Sequence, residues 1–240
     1  MLDKIKVIEY EVIGSTNTEA KNYARAAEDF GPVIFVAREQ SAGRGRRGRD
    51  FLSRRDRGIY FSVLYFVDGT LSDAVAVTTR AAVVVARAIE AVTGNAMKIK
   101  WVNDIYDDNG KVAGILAESV AMDDKIAVIV GVGINIGEAD FPDELSRIAS
   151  SIGMINENER GEIIEKIAEG LVFGLEVDFI EEYRKRFMLR DERVELFSTG
   201  ESLGCGIALG VDDEGGLIFL PDGKAEPRII RSGEVSVRKR

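Results

Sequence analysis

Seven arginines fall within the fourteen residues from Arg44 to Arg57, and the run opens on Gly43-Arg44-Gly45-Arg46-Arg47-Gly48-Arg49. Guanidinium forks and backbone N–H groups on a glycine-rich stretch suit an anion such as a phosphate or a carboxylate. Gly43, Gly45 and Gly48 formally satisfy G-x-G-x-x-G. A dinucleotide loop, however, must open an apolar helix, and only RDFLSRRDRG follows, so that reading is rejected. A solvated loop or a nucleic-acid arm is the alternative this stretch leaves open by itself.

Lys100-Trp101-Val102-Asn103-Asp104 leads through Asp107-Asp108-Asn109-Gly110 to Lys111-Val112-Ala113-Gly114. With Asn109-Gly110 as a two-residue type I′ loop, Asp108 opposes Lys111 and Asp104 opposes Ile115, so Asp104 and Lys111 project from one face. A carboxylate and an ammonium there could hold a metal and a phosphate, whereas a solvated lysine beside a turn is the plainer alternative. A slip of one residue would reverse the geometry. In Gly131-Val132-Gly133-Ile134-Asn135-Ile136-Gly137, glycines within a strand imply close approach by a backbone or a ligand, or else tight packing with a bulge. Ser15-Thr16-Asn17 offers hydroxyls and an amide suited to a neutral ligand such as an amide or urea, although helix capping also accounts for Thr16.

Composition removes whole classes of mechanism. The chain has no histidine, which excludes Ser-His-Asp and Cys-His nucleophilic sites and any zinc site needing imidazole. A net charge of −9 argues against general affinity for nucleic acid or anionic membranes, so a basic site must be local. The lone Cys205 cannot form an intrachain disulfide and reads as a small buried hydrophobe. No uncharged apolar run is long enough to span a membrane and no signal segment opens the chain, so a cytoplasmic protein is expected.

These residues need a frame to hold them. Residues 4–12 and 32–38 read as strands, with a helix between them from a Thr16/Glu19 capping box to about Ala27. A buried strand follows at 58–66. Ser72 then caps a helix carrying Val77, Ala81, Val84, Val85, Ala88 and Val92 at helical spacing, which Gly94 ends. Residues 98–136 form an antiparallel meander, and one helical segment with Ile164, Ile167, Leu171 and Leu175 on a stripe runs to about Phe187. From 193 onward short strand-like runs alternate with Gly, Asp and Pro turns. At 240 residues the chain has room for one large domain and one small one, read as 1–190 and 191–240.

In this order, STN at 15–17, Gln40 with AGRGRRGR at 42–49, KWVND at 100–104, KVAGIL at 111–116 and GVGINIG at 131–137, followed by a small β-region, resemble the biotin protein ligase family. Its members attach biotin to a lysine of a biotin carboxyl carrier domain. The resemblance covers nearly the whole chain and implies an α+β fold. The expected catalytic domain is class II synthetase-like, with a mixed, mainly antiparallel sheet flanked by helices, and a C-terminal SH3-like β-barrel follows it. The resemblance further implies that Ser15, Thr16, Asn17 and Gln40 line the biotin pocket, that Gly43, Arg44, Gly45 and Arg46 contact ligand, and that Arg46 faces the phosphate. Lys111 would lie at the junction of biotin carboxylate and α-phosphate, with Gly114 against the biotin rings. Arg46, Arg49, Asn103, Asp104 and Asn135 fall on the ATP side, with Asp104 as the Mg²⁺ ligand. Arg46, Lys111 and Asp104 are the residues expected to carry catalysis.

Val102 stands where that family usually has Pro, and Phe51 where it often has Trp. Some relatives carry an N-terminal helix-turn-helix repressor domain; this chain opens on the strand before STN, so the short form without a DNA-binding role is expected. Family members include monomers and homodimers, and no stripe here decides between them. The implied chemistry needs no protein nucleophile, because the substrate carboxylate attacks ATP and a carrier lysine attacks the resulting anhydride; positive charge and positioning suffice. A lipoate or octanoate ligase or transferase is the neighbouring alternative, although such enzymes generally show a histidine-containing motif. An Arg-loop nucleic-acid module is the alternative from another class, and it would show steeply salt-dependent oligonucleotide binding.

Overall fold

The computed structural model describes residues 5–68, 74–138, 141–198, 200–231 and 235–239. Ser72, expected to cap a helix, lies outside them. Strands β1 (Lys6–Ile13) and β2 (Val33–Gln40) pair in parallel across helix α1 (Thr16–Ala26). Strands β3 (Gly58–Asp68), β4 (Lys98–Lys100), β5 (Asp104–Tyr106), β6 (Lys111–Ala121) and β7 (Lys125–Asn135) complete a seven-stranded sheet in the order β1-β2-β3-β7-β6-β5-β4, antiparallel beyond the first pair. Helix α2 (Ala74–Thr93) joins β3 to β4, and α3 (Asp143–Ser146), α4 (Glu157–Val172) and α5 (Phe179–Arg186) follow the sheet.

A second, five-stranded antiparallel sheet is built from β8 (Glu192–Ser198), β9 (Glu201–Val211), β10 (Leu217–Pro221), β11 (Arg228–Ile230) and β12 (Val235–Lys239), ordered β11-β10-β9-β8-β12. The expected mixed, mainly antiparallel α+β architecture is the one observed. In the C-terminal sheet no ladder joins β11 to β12 among the described residues, so its observed form is a sheet with two ends. No helix of the described residues is long and apolar enough to cross a membrane.

Period-two alternation sorts the large sheet into two faces. Ile59, Phe61 and Val63 of β3, with Val128, Val130, Val132 and Ile134 of β7, point to the face packed by α2 and α4. The wholly buried Val83, Val85 and Ile89 of α2 belong to the same cluster, each contributing about 1.5–3 kcal/mol by leaving water. That cluster continues without a break into Val194, Leu196, Phe219 and Val237 of the second sheet. On the opposite face α1 seats Ala20 and Ala24 against Phe35, Leu64 and Ile129. One short helix cannot cover a seven-stranded face, and the strand ends toward β5 and β6 stay open for a site.

Three local expectations are corrected. The single helix running to Phe187 is two helices, because Gly174 takes φ 84° and the chain turns before Asp178 caps α5. Asn109 has no positive φ, so the β5–β6 loop is not type I′; the Asp107 carboxylate closes it by accepting from the N–H groups of Asn109 and Gly110, both at 2.8 Å. The register also differs: Lys111 opposes Tyr106 and Asp104 opposes Gly114, with an irregularity between Ile105 and Tyr106. Lys111 thus moved by two positions, which keeps its face, and the bulge absorbed the odd residue. Asp104 and Lys111 meet as the sequence suggested, through a different pairing.

Candidate active site

Cross-strand pairing places Ser62 opposite Gly131, Gly133 opposite Gly114, and Gly114 opposite Asp104, all on the α1 face. A cavity of about 1010 Å³ opens there. Its walls are the start of α1, the arginine segment, the β4–β5 turn, the ends of β6 and β7, and residues 141–149, with Val237 contributed from β12.

One end is lined by neutral polar groups. Ser15, Thr16 and Asn17 are all buried. Ser15 is the N-cap in an extended conformation, but its side chain makes no cap hydrogen bond and its residue lies on the cavity wall. Thr16 is therefore the first helical residue, and the expected Thr16–Glu19 capping box does not form. Its N–H and its hydroxyl both donate to Gln40 Oε1, at 2.9 and 3.1 Å. Ser62 Oγ lies 2.8 Å from Thr16 Oγ1 and 2.6 Å from Asn17 Oδ1. Asn17 Nδ2 donates to Leu116 O at 3.2 Å and to Glu118 Oε2 at 2.9 Å, and Gln40 Nε2 donates to Ser53 Oγ at 2.9 Å. Each group holds the next, so the wall is pre-organised.

The glycines of β7 have specific occupants. A Cβ on Gly131 would lie 2.1 Å from Asn17 Oδ1, and one on Gly133 would lie 2.4 Å from the Phe51 ring. The close approach comes from side chains of α1 and the arginine segment, and β7 pairs with both neighbours without a bulge. Gly114 lies under the same Phe51 ring and beside Lys111 Nζ.

The other end is charged. Lys111 Nζ pairs with Asp104 Oδ1 at 2.7 Å, each side chain about one-quarter exposed. Arg46 Nη1 donates to Asn103 Oδ1 at 2.7 Å, and Asn103 is itself tied to β6 by Nδ2 to Ile115 O at 2.9 Å and by Ile115 N to Asn103 O at 3.0 Å. Burial pushes the Arg46 guanidinium below its ordinary pKa, while the Asp104 carboxylate works against that shift. A partly desolvated cation that stays protonated is an anion receptor. Burial, with Asp104 adding to it, lifts the Tyr106 hydroxyl to about 12, so it remains neutral here. Asn135 Nδ2 donates to Ser150 O at 2.9 Å and to Lys111 O at 3.4 Å, fixing residues 148–150 beside Lys111, where Lys111 N also donates to Ile148 O at 2.7 Å.

The arginine segment is a closed hairpin. Gln40 bridges Ser53, Arg44 bridges Asp50, Gly45 N donates to Arg49 O at 2.7 Å, and Arg46–Gly48 is one 3-10 turn. Arg47 and Gly48 take φ of 63° and 70°, the left-handed values that let so short a turn close. Arg47 Nη1 reaches Phe197 O of β8 at 3.4 Å, and Arg44 and Arg55 pair with Glu118 and Glu11.

Of the residues singled out from sequence, Ser15, Thr16, Asn17, Gln40, Arg44, Gly45, Arg46, Arg49, Asn103, Asp104, Lys111, Gly114 and Asn135 all line the one cavity. Gly43 is not on its wall: it packs in the hairpin neck, where a Cβ would lie 2.4 Å from Phe51 O. The Trp101–Val102 peptide, where Val102 replaces the expected proline, is cis. Sequence reasoning passed over Ser62, Glu118, Lys21 and residues 148–150. A lone hydroxyl inside the apolar run GIYFSVLYF was the available signal for Ser62; nothing in the sequence singles out the others.

A model of the biotin/lipoate A/B protein ligase family matches residues 9–135. The bifunctional ligase/repressor BirA of Bacillus spizizenii is 34% identical over 230 residues, covering 89% of this chain and 69% of that protein. The biotin–[acetyl-CoA-carboxylase] ligase of Mycobacterium tuberculosis is 32% identical over 240 residues, covering 92% and 85%. The solved biotin protein ligase of Aquifex aeolicus, in complex with biotin and ATP, superposes with a TM-score of 0.79 at 26% identity, covering 98% of this chain and 99% of that one.

Proposed function

The chain belongs to the biotin/lipoate A/B protein ligase family, and on that premise we propose that it activates biotin with ATP as biotinyl-5′-AMP and transfers the biotinyl group to a lysine of a biotin carboxyl carrier domain. The observation that carries this reading is the split character of the cavity. Hydroxyls and amides occupy one end, and a Lys111–Asp104 pair with a buttressed Arg46 occupies the other. Biotin has the matching polarity, with a neutral ureido ring at one end and a carboxylate at the other.

In this reading Ser15, Thr16, Asn17 and Gln40 form the ureido end, with the uncommitted Ser15 hydroxyl facing the ring system. Arg44, Gly45 and Gly114 flank the acid, with Gly43 setting the hairpin neck. A biotin carboxylate oxygen attacks the α-phosphorus, the bond to the β-phosphate oxygen breaks, and pyrophosphate leaves. Lys111, held by Asp104, and Arg46, held by Asn103, meet the charge that grows on the phosphorus oxygens, where fixed cations in a low-dielectric site act most strongly. The carrier amine then attacks the acyl carbon, the bond to AMP breaks, and the ammonium proton is lost to solvent. Arg49, Asn103 and Asn135 lie on the nucleotide side.

Mg²⁺ fits Asp104 as a single carboxylate ligand. One oxygen is held by Lys111, the other carries no hydrogen bond, and no cluster of three metal-binding side chains is present among the described residues. Such an ion is held largely by the ATP phosphates and water, and when bound it neutralises phosphate charge. The division at 190/191 into a catalytic part and a C-terminal β-part belongs to the same reading.

The test is exchange of labelled pyrophosphate into ATP with biotin, lipoate or octanoate as the acid, which needs no acceptor protein. Exchange with biotin is the expected result. Exchange with lipoate or octanoate alone would move the substrate assignment to the neighbouring enzymes, and no exchange with any acid in folded protein would overturn the adenylation step.

A further inference from the structure

Glu118 lies on the α1 face of β6 but behind the cavity wall, and no step of the reaction uses it. Its carboxylate joins three separate elements. Oε2 accepts from Asn17 Nδ2 of α1 at 2.9 Å and lies 3.5 Å from Arg44 Nη2 of the hairpin, while Oε1 is ion-paired with Lys21 one helical turn beyond Asn17. The pair is only about one-fifth exposed, so it is screened far less than a surface bridge. Burial alone would push the Glu118 carboxyl up; hydrogen bonds from Lys21 and Asn17, with the charges of Lys21 and Arg44, outweigh it and hold the group ionised.

An asparagine amide has two nearly equivalent orientations, and its surroundings choose between them. Here the choice matters beyond Asn17. With Nδ2 turned toward Glu118, Oδ1 faces Ser62, and Ser62 in turn meets Thr16, which donates to Gln40. With a neutral side chain at 118 that order would rest on the longer 3.2 Å bond from Nδ2 to Leu116 O alone, and Arg44 would lose its ion pair at the hairpin neck. We propose that Glu118 is a positioning residue for the acid substrate: it orients Asn17 and anchors Arg44 so that the α1 terminus and the arginine hairpin meet around biotin. The inference rests on biotin being the acid that binds, and it assigns Glu118 no contact with ATP or with the reacting atoms.

The experiment measures pyrophosphate exchange at varied biotin and varied ATP, with calorimetric binding of biotin and thermal unfolding alongside. Glu118→Gln removes a charged hydrogen-bond partner, and the KM and Kd for biotin are expected to rise about tenfold to a hundredfold, with the KM for ATP and kcat at saturating biotin within about twofold. Glu118→Asp, which keeps the charge but retracts it by one methylene, is the second variant should Glu118→Gln lose its fold, and the same split is expected of it. An unchanged biotin KM, or a loss spread equally over both KM values and kcat, overturns the proposal. Wild-type protein that shows no exchange with biotin overturns the biotin reading itself; active wild type beside an indifferent variant overturns only the role of Glu118.

Discussion

The two ends of the cavity are built on different physical terms. At the Ser15–Gln40 end the polar groups are neutral and mostly satisfied by one another: Gln40 spends both its oxygen and its nitrogen on Thr16 and Ser53, and Asn17 spends both on Ser62, Leu116 and Glu118. At the Lys111–Arg46 end charge is taken out of water, with one cation paired to Asp104 and the other propped by Asn103. A satisfied neutral wall recognises shape and rejects poor fits, because any ligand must match groups that cannot rearrange. A desolvated cation gains more as negative charge grows, which favours the transition state over the ground state. The comparison therefore predicts that damage at one end appears in biotin KM and damage at the other in kcat.

The largest break should come at the charged end. Arg46→Ala or Lys111→Ala is expected to slow single-turnover adenylate formation by a few orders of magnitude, about 3–5 kcal/mol, and unchanged single-turnover rates would refute these roles. Next is Gly131→Ala at the neutral end, where the new methyl would lie 2.1 Å from an amide fixed on three sides. Overpacking of this kind costs about 1–3 kcal/mol, read here as weaker biotin binding in calorimetry with kcat at saturation retained. Gly133→Ala meets the Phe51 ring, which lies on the cavity wall and can swing, so a smaller loss is expected; equal losses at the two glycines would contradict the account of a fixed neutral wall.

Asn103→Ala should be milder still, since Arg46 keeps its charge and loses one prop. About a tenfold drop in kcat with unchanged biotin KM is expected, and a rise in biotin KM instead would show that the ends are not separable. The smallest effect lies away from both ends. Hydrogen bonds from Lys185 and Arg186 hold the Glu182 carboxyl down at about 2, against the usual 4.5. A depressed carboxyl contributes stability that is whole above its ordinary pKa and is lost as pH falls toward the folded value, so Tm should decline between pH 4.5 and about 2. Glu182→Gln should flatten that limb and leave activity at neutral pH untouched.

How far the sequence spoke can be judged residue by residue. Apolar runs and helical patterning located β3, β6, β7 and the α2 core, since there burial alone decides; KIKWVNDIY, which reads as one strand, is instead the β4–β5 pair folded back at 101–103. The Asp104–Lys111 pair was found through the wrong loop and the wrong register, because Asn-Gly signals a type I′ turn while the carboxylate of Asp107 offered the backbone a closer partner. Thr16 looked like a cap by spacing; its hydroxyl goes instead to Gln40, a residue 24 positions away, and spacing rules see only neighbours. The glycines of GVGIN announced a close approach without saying by what, for the occupants Asn17 and Phe51 arrive from remote segments. Glu118 left no local mark at all: its meaning exists only once α1, β6 and the hairpin are brought together.

Trp101 is the one tryptophan of the chain. Its residue lies on the cavity wall, and its indole N–H donates at 2.9 Å to Gly215 O in the turn between β9 and β10. Excited at the red edge, where the six tyrosines do not absorb, it is a single optical reporter at the seam between the site and the second sheet. Its emission reports ligand entering on one side and the second sheet parting on the other, so one optical signal, followed with biotin and then with denaturant, reads both events without a label.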